Sequence, residues 1–280
     1  MPCRISINSS LQEYMKQILY LVLALLVVAC SGSPEDKASH LLSEARENVE
    51  NECFDEARDL IDSLREYYPT AAEARRGALQ LENELEMKAA KKELALTDSM
   101  LCVESERLDS MKQHFVLEKD PEYQLVGYYV VPEQIGSKMH KTALRAQVNE
   151  EGEMVLISVV HGRQLNHKTI SVASSDGEMV TTPDCFSFLT HSVVGYEEEA
   201  SYKLGEDGGV IAFIANNPGT MTVTCNGKSK PYSFQLSPSD KFAVRHCYLL
   251  ARKFDSVKRL REQQEKLALK VRFYEKKMTL

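Results

Sequence analysis

The chain has 280 residues, 43% hydrophobic and 27% charged, with 34 basic against 41 acidic residues and a formal net charge of −7. That length accommodates one or two domains with cores of their own, and the apolar fraction argues against disorder throughout. The acidic balance argues against nucleic acid as the main partner, while 13 Gly and 9 Pro exclude a collagen-like or linker-dominated chain.

Ile18 to Ala29 form an uncharged apolar run, within the length of a signal-peptide core and short of the roughly 18 residues that span a bilayer. Lys16 supplies the positive charge before it, which makes Met15-Lys16 a natural start for an export signal. The run ends Val27-Val28-Ala29-Cys30, a pattern that resembles the lipobox of bacterial lipoproteins, with Val27 in place of the commoner Leu. The resemblance implies removal of residues 1–29, with cleavage between Ala29 and Cys30, and acylation of Cys30. Several acyl chains, at about 0.8 kcal/mol per buried methylene, then hold the protein to a bilayer. Ser31, rather than Asp, is similar to lipoproteins sorted to the outer membrane of Gram-negative cells. Ser31-Gly32-Ser33-Pro34 has linker composition, and residues 30–37 are expected to form a lipidated linker.

From 38 to 70 the spacing predicts a helical hairpin. Ala38, Leu41, Leu42, Ala45 and Val49 recur at helical intervals, as do Phe54, Ala57, Leu60, Ile61 and Leu64 before Pro69. Ala45, Phe54, Ala57 and Pro69 are similar to one tetratricopeptide repeat, although Glu52 stands where that family favours Gly and no second copy follows. Repeats of this kind bury their faces by stacking, usually about three deep.

A long helix is expected over 71–119, with Met87, Leu94, Leu101, Leu108 and Phe115 every seven residues. Another is expected over 238–280, with Val257, Gln264, Val271 and Met278 interleaved with Leu260, Leu267 and Tyr274. Each would be about 60 Å long. Residues 30–119 are acidic and 238–280 basic, so the two helices are complementary in charge. Antiparallel pairing from a shared end near Lys119 and Pro238 sets Glu93, Asp98, Glu104, Glu106 and Asp109 along Arg252, Lys253, Lys258, Arg259 and Arg261. It sets Lys88, Lys91 and Lys92 near Glu262 and Glu265. A parallel homo-oligomer is the alternative.

Between them, 120–237 reads as an all-β sandwich or barrel. Expected strands are Tyr123–Val131, Thr142–Val148, Met154–Val160, Thr169–Ala173, Ala200–Leu204, Val210–Ala215, Met221–Cys225 and Tyr232–Leu236. Glu151-Gly152, Asp176-Gly177, Asn217-Pro218-Gly219 and Asn226-Gly227 are turn signals, the last being the strongest hairpin signal. The fold class is therefore α+β in several parts: a helical hairpin, an antiparallel pair of long helices and an inserted β domain.

No catalytic constellation emerges. Beyond Cys3 and Cys30 the cysteines are Cys53, Cys102, Cys185, Cys225 and Cys247, an odd set without C-x-x-C spacing, which argues against zinc. Cys185 and Cys225 are a candidate disulfide within the β domain, or two buried thiols. Among the seven histidines, His161 and His167 are close in sequence but lack metal-ligand spacing, and surface imidazoles are the expected reading. Glu197-Glu198-Glu199 reads as a solvated acidic loop and Gly205-Glu206-Asp207-Gly208-Gly209 as a hairpin turn. Tyr128, Tyr129, Tyr196 and Tyr202 are candidates for a recognition face. No metal or cofactor is implied.

The expected function is that of a non-enzymatic, lipid-anchored envelope lipoprotein of the outer membrane. Its β domain would serve contact with an unidentified envelope protein partner or envelope organisation. A small-ligand-binding or enzymatic β domain on the same anchor is the alternative. The layout resembles uncharacterised lipoproteins of Gram-negative anaerobes, a resemblance that carries no activity.

Overall fold

The computed structural model describes residues 33–135, 141–192 and 195–279. The chain is mixed α+β and divides into two compact units. The first comprises the described residues up to Leu96 together with those from Glu265 onward; the second is Thr97–Gln264.

In the first unit, helix α1 (Pro34–Glu50) begins inside the stretch expected to be linker. Ser33 Oγ accepts the Asp36 N–H at 3.1 Å, and Asp36 Oδ2 accepts the Ser33 N–H at 2.9 Å. This is a capping box with Pro34 at the first helical position, where its missing N–H costs nothing. The S-x-x-D spacing that starts the helix was open to view in the sequence. Glu35 reaches further, accepting the Ala74 N–H at 2.8 Å and so satisfying a donor at the start of helix α3 (Ala72–Lys112).

Helix α2 (Phe54–Tyr67) packs on α1 across a turn in which Glu52 has φ 60°. The left-handed conformation explains why Gly is favoured at this point of the tetratricopeptide pattern. Here Glu52 occupies it and pairs with Lys92 Nζ at 2.6 Å. Ala38, Ala45 and Val49 of α1, Ala57, Ile61 and Leu64 of α2, and Ala74, Ala78, Leu81 and Leu85 of α3 form one buried cluster. The faces a lone repeat would leave bare are therefore covered by α3 rather than by another copy. Small residues set the approach: a Cβ on Gly77 would lie 2.6 Å from Leu42 Cδ2.

One carboxylate ties three helices of this unit together. Glu86 of α3 takes Arg58 Nε of α2 at 2.8 Å and Lys270 Nζ of helix α5 (Pro238–Met278) at 2.6 Å. Burial alone would raise its pKa, but the two cations outweigh burial and hold it below the usual carboxylate range. Lys91 pairs with Glu275 at 2.8 Å instead of the expected Glu262 or Glu265. Lys88 turns to Glu84 of its own helix.

In the second unit the later part of α3 meets the earlier part of α5. Glu104 Oε2 accepts from Lys253 Nζ at 2.6 Å and Asp98 from Gln264 at 2.8 Å, so the contacts run in opposite chain order. Lys253 is among the basic residues expected along this stretch of α3, and Glu104 meets it rather than Arg259. Arg259 instead pairs with Asp255 one turn away on α5. Charge reversal at Glu104 or at Lys253 alone is expected to lower the melting temperature, and the double reversal to recover much of the loss. Strictly additive melting shifts would refute the pairing.

The strands are β1 (Val116–Glu118), β2 (Tyr128–Val130), β3 (Ala143–Asn149), β4 (Met154–His161), β5 (His167–Ser174), β6 (Met179–Thr181), β7 (Ser187–Ser192), β8 (Gly195–Lys203), β9 (Met221–Gly227) and β10 (Tyr232–Gln235). They form two antiparallel sheets, in the orders β1-β2-β3-β4-β8-β7 and β10-β9-β5-β6. Both are open, so the barrel alternative does not apply to the described residues. Leu144, Ala146 and Val148 point inward from β3 as their alternation predicts. They share a core with Leu156, Ile170, Val172, Tyr202 and Val223 from the sheets and Val244, Cys247, Leu250 and Val257 from α5. Where β2 leaves the edge of β3, the Gln134 side chain takes over its bonding. The amide donates to the Leu144 carbonyl and accepts from the Ala146 N–H, both at 3.0 Å.

Three readings of the β region are corrected. Val210–Asn216 is helix α4 and not a strand. Its run of β-branched residues reads as a strand, but Asp207, itself buried, accepts the Gly205 and Ile211 N–H groups and turns the chain into a helix. Val210, Ile211 and Ile214 can then all face the core. The glycine-rich segment before it is accordingly a helix entry, not a hairpin turn. Asn226-Gly227 lies inside β9, whose hairpin to β10 turns beyond it, because Tyr232 pairs with Cys225. Asn226 instead donates across to Ser171 Oγ of β5 at 3.0 Å.

Candidate functional site

Ala29 and Cys30 lie outside the described residues. Cys185 and Cys225 are separate thiols rather than a bridge. Burial pushes the Cys225 pKa up to about 11, and its Sγ lies 3.5 Å from Ser158 Oγ. Cys185 is also raised by burial, which outweighs the opposing effect of its polar neighbours. Neither has thiolate character at neutral pH.

The four tyrosines do not share a face. Tyr202 is buried in the core and its hydroxyl donates to the Lys168 carbonyl at 3.2 Å. Burial raises its pKa first, with the neighbouring Cys185 adding to the shift. Tyr129 pairs with Val148 and packs toward Phe254, whereas adjacent Tyr128 points to the opposite side of its strand. Tyr196 is exposed, stacked edge-on against His191. Alternation sets Tyr128 opposite Tyr129, whereas Tyr196 shares the parity of buried Tyr202 and is exposed because it lies near the start of β8.

The acidic run is corrected more sharply. Glu197, Glu198 and Glu199 lie in β8, and Glu198 is 1% exposed. Its residue parity places it on the inward face with Ala200 and Tyr202. The chain crossing from β4 to β5 closes around its carboxylate. Oε2 accepts the Leu165 and Asn166 N–H groups at 2.7 and 2.9 Å, and Oε1 accepts the His167 N–H at 2.6 Å and lies 2.5 Å from His167 Nδ1. Asn166 has φ 49°, the left-handed turn that aims consecutive N–H groups at one point. Desolvation opposes ionisation, but the N–H donors outweigh it, so Glu198 stays below the usual carboxylate pKa. His167, expected at the surface, is fully buried, and its Nε2 has no partner. Both side chains are closed off from solvent, and the carboxylate bonds to three successive residues of the crossing. It is a structural pin for the crossing.

A surface concavity does exist, where α4 ends and α5 begins. A groove of about 630 Å³ is lined by Asn216 and Asn217 on one side and Lys241, Phe242, Arg245 and His246 on the other. The α5 residues fall one and two turns after Pro238, hence on one helix face. Ser237 Oγ caps α5 by accepting the Asp240 N–H at 3.1 Å and donates to Asp240 Oδ2 at 2.6 Å, which occupies the nearest acid in sequence. Lys241 Nζ donates to the Gly219 carbonyl, and burial together with Arg245 lowers its pKa. The Phe242 and His246 rings lie 3.7 Å apart between centroids. They also line a smaller depression of about 190 Å³ with His114, Phe115, Val131, Pro132 and Glu133. No single residue here belongs to a recognisable motif, which is why the sequence offers no sign of the groove.

Among the described residues no group of three or more His, Cys, Asp or Glu is placed to hold a metal ion. No known family model, curated protein or solved structure matches this chain.

Proposed function

We propose that this chain is a lipid-anchored cell-envelope protein of the outer membrane. Acylated Cys30 attaches it to the bilayer, its long helices act as an antiparallel stalk, and its two sheets form a sandwich-like module that engages an envelope protein partner. The single observation carrying the reading is Val27-Val28-Ala29-Cys30 at the end of the apolar run that starts at Ile18. Hydrophobic core, small residue and cysteine stand in the order that lipoprotein processing requires. Two further facts are compatible with an acyl anchor and a spacer. No described helix is long and apolar enough to cross a membrane. The Glu104–Lys253 and Asp98–Gln264 contacts join the two long helices within the chain, as an intramolecular stalk needs.

Metabolic labelling with palmitate tests this reading in a Gram-negative host. The parent chain is expected to incorporate label and to fractionate with membranes. Cys30→Ser is expected to lose the label and leave the membrane fraction. An unlabelled parent, or a Cys30→Ser variant that fractionates identically, would overturn the proposal.

A further inference from the structure

We propose that the groove between the end of α4 and the start of α5 is a binding site for an oxyanion carried on an apolar group. This inference does not depend on the lipid anchor.

Charge is the first ground. In a chain with more acid than base, the groove gathers Lys241, Arg245 and His246 and has no acidic residue in its lining. Among the described residues neither Lys241 nor Arg245 forms an ion pair. By contrast Arg107, which lines a depression on α3, is neutralised by Glu104. Holding Lys241 next to Arg245 without a counter-charge is repulsive, and a bound anion relieves that repulsion.

Donor geometry is the second. A guanidinium offers a planar fork that matches carboxylate or phosphate oxygens two at a time, and the Lys241 ammonium keeps two N–H bonds after donating to Gly219. The Asn216 and Asn217 side chains stand on the facing wall. Asn217 is held by accepting the Gly219 N–H at 2.9 Å, which orients its amide.

Shape is the third. Phe242 is 44% exposed although it belongs to both depressions, so an aromatic face stands open between the cationic groove and a recess of Phe115, Val131 and Pro132, bordered by His114 and by Glu133, whose carboxylate directs an anionic head toward Arg245 instead. A ligand with its charge by Arg245 and its apolar part on Phe242 uses both. Inorganic anions use only the first.

Calorimetric titration of the full chain with four probes tests this: 3-phenylpropionate, phenyl phosphate, inorganic phosphate and the neutral 3-phenylpropanol. The two phenyl-bearing anions are expected to bind saturably, and whichever binds tighter identifies the head group as carboxylate or phosphate. Inorganic phosphate is expected to bind about tenfold more weakly and the alcohol not measurably. Arg245→Gln should weaken both phenyl anions about tenfold, and Arg245→Lys, which keeps the charge but not the fork, should recover only part of that loss. Phe242→Ala should erase the preference over inorganic phosphate. Arg245 is exposed, so an unchanged melting temperature in Arg245→Gln will separate lost binding from lost folding. Absence of saturable binding up to about 10 mM, equal affinity in Arg245→Gln, or an alcohol that binds as well as the acid would each overturn the assignment.

Discussion

Replacing Glu198 by Gln is expected to cost about 3–5 kcal/mol of stability, the range seen when one partner of a buried charged network is removed. The substitution is nearly isosteric, so the loss is electrostatic. Three backbone N–H groups and the His167 ring converge on the carboxylate, and a neutral amide can accept from only one side while its NH₂ faces donors. Denaturant titration of the two proteins should show the midpoint fall with little change in slope. The pH dependence has a definite sign. The folded-state pKa of Glu198 is depressed, so its contribution is complete above the unfolded carboxylate value of about 4.3 and is lost as pH falls through the lower folded value. The gap between parent and Glu198→Gln should accordingly be constant near neutrality and close on acidification below about pH 4. A gap that widens toward acid would contradict the hydrogen-bond assignment.

Gly227→Ala should be nearly as damaging, at about 3 kcal/mol, for a steric reason at the same crossing. A Cβ at this position would lie 2.5 Å from the Leu165 carbonyl oxygen, 2.6 Å from that of Asn166 and 2.7 Å from His167 Cα. All three are backbone atoms of the segment held by Glu198, and none can swing aside as a flexible side chain would. Gly177→Ala is the fitting control, because its Cβ would meet nothing within 4 Å and only its φ of 93° opposes the change. Since Glu198 and Gly227 act on one segment, the double variant should lose less than the sum of the two single losses. Full additivity would mean that the crossing does not respond as one element.

Legibility in the sequence followed the range of the interaction. The helices were readable because their burial pattern repeats locally: Ala38, Ala45 and Val49 recur on α1, and Val257, Leu267 and Val271 on α5. Strand β3 was readable for the same reason, with inward residues at every second position. Short strands β1, β6 and β7 escaped notice, because three to six residues carry too little alternation to stand out. Helix α4 was misread since seven residues of Val, Ile, Ala and Phe have no visible period, and the capping role of Asp207 depends on where the following residues go. Glu198 was misplaced for a related reason: the strand containing it was expected to begin at Ala200, which left the glutamate run outside.

By itself the sequence determined the order of helical and β-rich segments, the charge complementarity that lets Glu104 meet Lys253, and the apolar run that ends at Cys30. Each of these is written in neighbouring residues or in a repeating period. Only the tertiary structure decided that a glutamate in an acidic run is the buried pin of a chain crossing, that the candidate tyrosines part company, and that Asn217, Lys241 and Arg245 line one groove. Those outcomes depend on desolvation and on donors brought from distant segments. A carboxylate is costly to bury until Leu165, Asn166 and His167 converge on it, and nothing in the local sequence announces that convergence.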